Sequence, residues 1–521
     1  MQRRFPGPDR LSTGVHRRVL VAAVALAAVY GVVIGLQAGT KMPEWIPLMA
    51  SWVVFVPLAM WVVRGGRRRP NGGQPDGARR PLLVLMIAAV IVQLPGLFAA
   101  PQMSTDAYRY VWDGRVQVAG VDPYRYVPLD DHLARLRDPV LFPGLTPAGR
   151  TGVVSRGNSF ADVRKPLDTG NRTDQTMLNR PLVPTIYPPL AQAWFAVVSV
   201  LTPESWGTFG VQLSFLLVAV ATTGLIGWSL RTAGHDAGSA FVYAACPPVF
   251  IESASNAHVD VLAAGLIVAA VIFAHRRWVA GILLGAAIAV KLTPVLLVPA
   301  FLGRRVRDSA ATLLATVATV VAVYLPHAIV VGWLVLGYLP GYLAEEGYES
   351  GTERFRVIAL LLPDVAPEAQ TAIAVLLAAA VAVLCVLRTS TRPTTEVAVW
   401  LFGTALLIAT PTYPWYVVPL LALAVLARRY EWFVLGVAAY AAYGFYDHVH
   451  LPGLFFTAAA AVIGACALGR AMSSRRGADR GVRVARAPAR VRPERLRRDG
   501  PRPVRMGRQA TGGRPRGGGH S

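Results

Sequence analysis

The sequence predicts an all-α, polytopic membrane helix bundle with a large loop on the extracytoplasmic side. Three observations predict it. Apolar runs long enough to cross a ~30 Å hydrocarbon core as helices, which takes about 20 residues, recur through the whole chain. The 521 residues are 54% hydrophobic and only 16% charged, with a mean hydropathy of +0.45, whereas a soluble domain carries about 25% charged residues to cover its surface. Basic residues return in the short connectors between the runs, the pattern of loops held on the cytoplasmic side. A compact soluble enzyme is thereby excluded. Cys246, Cys385 and Cys466 lie far apart inside apolar runs, so neither a disulfide framework nor a thiolate metal site can be drawn.

Each element follows in order. The first span is Val19 to Leu36; its basic lead-in, Arg17 and Arg18, resembles a signal peptide, but the apolar run is longer than an h-region and a second span follows at Trp45 to Val63. The connector Arg64 to Arg80 holds six arginines against Asp76 and is placed in the cytoplasm, as is the N-terminus. Pro81 to Ala100 then carries the chain out. Residues 101–186 become a loop on the far side, too long to be a routine connection. Beyond it, Tyr187 to Thr202 dips into the outer leaflet, and Thr208 to Leu230, Phe241 to Ile251 and His258 to His275 cross in turn. Val279 to Phe301 reads as a broken hairpin, because Lys291 and Pro294 sit at its centre and proline removes a helix hydrogen bond. Backbone freed at that depth is tolerated only against protein or a water-filled cavity. Lys291 is expected to point into that cavity. Ala310 to Leu336, Thr371 to Leu387, Val397 to Ala409, Tyr416 to Ala427, Trp432 to Phe445 and Leu454 to Leu468 complete about 12 to 14 membrane segments.

The chain therefore divides into a cytoplasmic N-terminus (1–18), three spans with the basic loop 64–80 (19–100), the extracytoplasmic loop (101–186), the multi-span bundle (187–470) and a basic cytoplasmic tail (471–521). About half of the formal net charge of +23 lies in that tail, where fifteen arginines follow Met472 against Asp479, Glu494 and Asp499. Rich in Gly and Pro, the tail buries too little to offset its ordering entropy and is expected to be disordered. It anchors topology against anionic lipid, at ~1 kcal/mol per Arg. Nucleic acid is not an expected partner, since no aromatics are interleaved for bases to stack on.

Polar residues converge on the outer side of this topology. Asp106 opens the long loop, and Tyr108, Val111, Trp112 and Val116 after it recur at helical spacing, predicting an interfacial helix. Glu252, Asn256, His258 and Asp260 surround an outer turn beside Pro247 and Pro248, and Glu353, Arg354 and Arg356 lie in another outer loop. Ionisable groups near membrane depth are costly and mark substrate paths. For Asp106 the bland alternative is a helix-start carboxylate paired with Arg109; for Lys291, a snorkelling side chain; for His258, a satisfied core histidine. Asp447-His448-Val449-His450 forms no recognised metal set. The pairs Gly31-x-x-x-Gly35 and Gly281-x-x-x-Gly285 permit close helix approach and are expected to serve packing.

The run Asp106-Ala-Tyr-Arg-Tyr-Val-Trp-Asp-Gly-Arg-Val-Gln117, followed by Gly120-Val-Asp-Pro-Tyr124, Tyr187-Pro-Pro-Leu-Ala-Gln192 and Glu252-Ser-Ala-Ser-Asn-Ala-His-Val-Asp260, resembles the GT-C superfamily of membrane glycosyltransferases. Within it the chain is most similar to actinobacterial polyprenol-phosphate-mannose-dependent mannosyltransferases, and Lys291-Leu-Thr-Pro294 agrees with that group. The motifs span about residues 81–300; two spans precede the loop beyond the usual core. The resemblance implies a multi-pass enzyme of a bacterial inner membrane. It passes a sugar, most readily mannose, from a polyprenyl-phosphate donor to a lipid-linked or glycan acceptor on the extracytoplasmic face, with inversion. The family's first-loop aspartate is the catalytic base, and by position that residue is Asp106.

The chemistry asks for such residues. Displacing a phosphate at the anomeric carbon with a hydroxyl needs one carboxylate to take the proton, and no second carboxylate is evident as a nucleophile. A departing lipid phosphate needs fixed cations where water is scarce. Lys291, Arg354, Arg356 and Arg109, with Tyr187, are the donor-phosphate candidates, and Glu252, His258, Asp260, Asp113 and Arg115 the sugar or acceptor candidates. No cofactor is expected, nor a metal, because no closely spaced carboxylate pair accompanies Asp106. The competing class is a transporter or lipid flippase, or a transferase for another lipid-linked sugar.

Overall fold

A computed structural model describes residues 8–40, 42–43, 45–66, 80–145, 149–153, 176–303, 306–345 and 354–486. Most of the basic connector 64–80, the stretch 154–175 of the long loop, Arg304, Arg305, Glu353 and tail residues 487–521 lie outside these. The described residues form helices and turns without a strand. Contacts divide the chain into two units, Met1–Cys466 and Ala467–Ser521.

In the first unit, α1 (Pro8–Gly39) packs on α2 (Trp45–Gly66) and on α3 (Arg80–Gln93). After α3 come α4 (Asp106–Val118) and α5 (Pro189–Leu201), which lie against each other, and α6 (Phe209–Thr232), which returns to α3. Two single turns, α7 (Phe241–Ala244) and α8 (Pro247–Phe250), lead into α9 (Asp260–Ile272) and α10 (Arg277–Val290). The short α11 (Val298–Phe301) precedes the long α12 (Val306–Val331), then α13 (Leu339–Glu345), α14 (Arg356–Leu361) and α15 (Pro367–Arg388). Last come α16 (Thr394–Ala409), α17 (Val418–Leu426), α18 (Phe433–Gly444) and α19 (Leu451–Arg486).

Apolar length sorts these helices. Seven are long and apolar enough to cross a membrane, from Val15–Gly39 to Leu451–Ser473, and the pair Pro247–Ser255 and Asp260–Ile272, bent by 118°, makes an eighth if counted as one broken span. Four more are apolar but shorter: Pro189–Leu201, Arg277–Val290, Thr394–Ala409 and Pro414–Leu426. The chain is a multi-pass membrane protein. Phe241 to Ile251, expected to cross by itself, is instead two single turns, the second of which opens the bent pair. Every residue of α17 is buried, as expected of a helix that is apolar all round. By contrast α12 and α15 leave Leu314, Val321, Leu376 and Leu384 exposed, which suits a lipid-facing wall.

The interior is one continuous apolar cluster, fitted together by close backbone approach and by buried amides. At Gly281 and Gly285 of α10 a Cβ would strike the Thr312 and Thr316 carbonyls of α12, so the two backbones meet where only glycine fits. Gly31 and Gly35 have nothing within 4 Å and serve no such contact. Where the bent pair breaks, Ile251–Ser255 is a turn of π-helix, and the carbonyls it frees need donors. Gln212 of α6 provides them: its Nε2 donates to Ala254 (3.2 Å), Ser255 (2.9 Å), Ala99 (2.9 Å) and Gly96 (3.2 Å). Gln93 repeats the device, donating to the Ala244 carbonyl at 2.6 Å and accepting from Ser253 at 2.6 Å.

Two further expectations change. The helix predicted over Asp106 to Arg115 forms, but instead of lying at an interface it is buried from Ala107 to Val116. The described parts of the 101–186 segment fold back over it: Trp112 meets Phe142 at 4.8 Å, and Arg115 reaches the Leu136 carbonyl at 3.2 Å and Asp138. In the second unit the helix runs on to Arg486, into the stretch expected to lack order, through residues free of proline until Pro488.

The described part of the 101–186 segment is expected to be acid-sensitive. Burial by itself raises the Asp138 carboxyl, but Arg115 and the backbone N–H groups of Leu141 and Val140 outweigh it and hold the group below the ordinary value. Asp131 is held low in the same way by Thr151 and Gly152. Carboxylates lowered in the folded state contribute stability that is present above their ordinary value of about 4 and lost as pH falls through the folded value. Pepsin digestion across falling pH is expected to cut within 101–186 before helical signal is lost; simultaneous loss would contradict this.

Candidate active site

The first helix of the long loop begins where the site is built. Asp106 donates its backbone N–H to Ser104 Oγ at 3.1 Å, and Tyr108 donates to the Thr105 carbonyl, closing the first turn of α4 with a carboxylate at its positive end. The preceding residues are pinned to the broken span, since Asn256 Oδ1 accepts from Gln102 and Met103, both at 3.2 Å. α4 ends at Val118, and Gly120 just beyond it takes the left-handed conformation (φ +78°) that terminates helices.

Asp106 faces a cavity of about 480 Å³, within the ~300–1,000 Å³ range of small-molecule sites. Its wall combines Asp106, Asn179, Arg180 and Tyr187 from the loop side with Lys291, where α10 ends, and an aromatic group comprising Tyr342, Tyr413, Trp415 and Tyr416. Helix α10 stops because Lys291 is extended (φ −153°, ψ 141°) before the turn that contains Pro294. The expected break is present, and Lys291 lines the cavity. Its Nζ donates to Asp260 Oδ2 at 2.6 Å and lies 4.2 Å from the Tyr416 ring centre. Arg180, in a left-handed conformation (φ +46°), sets its guanidinium 5.4 Å from the Tyr342 ring.

Both oxygens of Asp106 are engaged. Asn179 donates to Oδ1, and His258 Nε2 lies 3.5 Å from Oδ2. The Tyr187 hydroxyl also interacts with the carboxylate. His258 in turn contacts Glu252 through Nδ1, Glu252 accepts from the Tyr440 hydroxyl, and the imidazole stacks on Trp415 with centroids 4.0 Å apart. Glu252, His258 and Asp260 are buried and lie outside the cavity lining; they stand behind Asp106 and Lys291.

The remaining candidates separate. Arg109 is buried, bonding Asp113 at 2.9 Å and the Arg180 and Val183 carbonyls at 3.2 and 3.3 Å; Asp113 also accepts from Gln192 at 2.9 Å. Together they tie α4 to α5 and to the end of the loop. Arg115 staples the loop through Asp138. None of these three lines the cavity. Arg354 is 1% exposed and interacts with Tyr342, Tyr413 and Tyr416, behind the aromatic wall. Burial lowers its pKa while the tyrosines oppose that. Arg356 lies elsewhere, donating its N–H to Thr410 Oγ1 at 2.8 Å and its guanidinium to the Tyr446 carbonyl at 3.3 Å.

Sequence reasoning missed Asn179, Arg180, the aromatic group and Tyr440. The run Thr410-Pro-Thr-Tyr-Pro-Trp-Tyr416 carried a legible signal, two prolines and three aromatics interrupting an apolar stretch. Asn179, Arg180 and Tyr440 carried none.

The site offers one carboxylate, two cations and stacking surfaces around a partly open cavity. No curated protein and no solved structure matches the chain. Residues 185–411, which hold Tyr187, Glu252, His258, Asp260 and Lys291 but not Asp106, match the model of glycosyltransferase family 87, and this supports a glycosyltransferase role for the protein.

Proposed function

We propose that the protein is an inverting transferase that moves a sugar, most readily mannose, from a polyprenyl-phosphate donor to a hydroxyl of a lipid-linked or glycan acceptor. The observation that carries this reading is a single carboxylate, Asp106, facing Lys291 and Arg180 across one cavity. Asp106 takes the proton of the acceptor hydroxyl as its oxygen bonds the anomeric carbon. The carbon–oxygen bond to phosphate breaks, and the electron pair leaves with polyprenyl phosphate. Lys291 and Arg180 stabilise that anion, Tyr187 hydrogen-bonds the donor, and the tyrosines stack on the sugar. Among the described residues Asp106 is the one carboxylate in the cavity lining, which favours direct displacement over a covalent intermediate. An apolar wall including Leu339 and Leu343 suits a lipid-anchored donor entering sideways. The basic connectors in the sequence favour a site on the extracytoplasmic face of a bacterial inner membrane, where nucleotide sugars made inside do not reach it.

Membranes containing the protein are incubated with labelled polyprenyl-phosphate mannose and an acceptor-lipid extract. Label is expected in acceptor lipid, also in the presence of a chelator, with the opposite anomeric configuration to the donor. Transfer from other polyprenyl-phosphate sugars alone would replace mannose; label crossing the membrane without a new glycosidic bond would favour a flippase.

A further inference from the structure

We infer that His258, held by Glu252 and Tyr440, is a positioning residue that orients the Asp106 carboxylate from behind the cavity. The inference rests on the transferase reading for its kinetic consequences, but the geometry stands by itself. His258 is fully buried and its Nε2 has no hydrogen-bond partner, yet it points at Asp106 Oδ2 from 3.5 Å. A buried imidazole nitrogen left unpaired is costly, so its alignment on the one carboxylate of the cavity demands a reason. Everything else about the ring is constrained. Nδ1–H donates to Glu252 Oε2, Glu252 Oε1 accepts from the Tyr440 hydroxyl, and one ring face lies on Trp415, so Nε2 meets the Asp106 carboxylate as the second N–H donor of an imidazolium. The backbone enforces the same arrangement: His258 N–H donates to the Glu252 carbonyl at 2.7 Å across the π-turn, and Ala257 takes a left-handed φ of +59° to allow it. Left-handed backbone at a residue with a Cβ persists where surrounding structure imposes it, and such residues gather at functional sites.

The division of labour follows from lone pairs. A carboxylate has about four acceptor sites. Asn179 occupies one on Oδ1, the Tyr187 hydroxyl engages the carboxylate as well, and His258 confronts one on Oδ2, which leaves about one site for an acceptor hydroxyl. His258 does not line the cavity. Its loss is therefore expected to appear in the chemical step, leaving donor binding alone.

The test compares His258→Phe, His258→Gln and Tyr440→Phe in the full-length protein. His258→Phe keeps a ring against Trp415 but removes both nitrogens; kcat is expected to fall about 100-fold with donor KM within about twofold. In His258→Gln an amide can still donate to Asp106, and recovery of about tenfold is expected. Tyr440→Phe, a deletion of one hydroxyl, is expected to lower kcat about three- to tenfold at unchanged KM. Full activity of folded His258→Phe, or losses that appear in KM, would overturn the assignment. A readout independent of turnover comes from nitrogen-15 NMR of selectively labelled histidine: Asp106→Asn is expected to move the His258 Nε2 resonance, identified by its absence in His258→Gln. An unmoved resonance refutes the contact. A moved resonance in a wild type that transfers no sugar would instead place the failure in the transferase reading.

Discussion

Asp106→Asn is expected to lower the rate of sugar transfer by about 10²–10⁴-fold, the worth of a positioned general base, with little change in folding. The substitution is nearly isosteric, and the side chain is 15% exposed at the cavity wall. Its amide oxygen can still accept from Asn179, while its nitrogen carries no basic lone pair for the acceptor proton. Asp106→Glu separates basicity from placement: it restores the carboxylate but moves it by one methylene, and about 10² of the loss is expected to remain, because small misplacements of reacting groups are that costly. The measurement is initial transfer rate with purified protein, alongside thermal unfolding and gel filtration. Asp106→Asn with the wild-type rate would remove the carboxylate from the chemistry and leave the cavity cations to be explained as a transport path.

Lys291→Met is expected to do two kinds of damage that a second substitution separates. Lys291 and Asp260 form a pair at 2.6 Å with side chains 17% and 1% exposed. Removing one partner of a buried pair leaves the other charge uncompensated and costs about 3–5 kcal/mol. Asp260 already has Oδ1 without a hydrogen-bond partner, so no spare donor absorbs the loss. The double variant Lys291→Met/Asp260→Leu removes both charges and is expected to recover most of that stability, yet transfer stays depressed because no cation faces the leaving phosphate at this wall. Thermal unfolding in detergent and transfer rate, measured on both variants, check the two halves. Recovery of activity together with stability in the double variant would show that Lys291 serves only the fold.

Much of this architecture was legible residue by residue. Apolar runs reveal where helices lie, because the cost of unsatisfied backbone in lipid leaves the helix as the one economical choice for each run. Lys291 and Pro294 inside an apolar stretch betrayed a break, and the break is there. Asp106 was legible as the start of a helix rich in aromatics. Gly281 and Gly285 pack as their spacing suggested, whereas Gly31 and Gly35, spaced alike, touch nothing; spacing permits close approach, and a neighbour has to be present to use it.

What the sequence by itself determined, then, is a helical multi-pass chain with a carboxylate at the head of its first long loop and a lysine at an interrupted span. Hydropathy and helix-breaking are local properties, set by each residue's own side chain and its near neighbours. Which polar groups meet, and through which atoms, was decided only by the tertiary structure. Glu252, His258 and Asp260 looked equivalent along the chain, but the π-turn and the left-handed Ala257 direct His258 to Asp106 while Asp260 is left to pair with Lys291. Arg109 looked like a phosphate ligand, but two carbonyls and Asp113 occupy it. Arg180, 74 residues after Asp106 in an irregular stretch, enters the cavity because that segment folds back over α4. Such convergence depends on contacts between residues far apart in the chain, and a one-dimensional pattern carries no record of them.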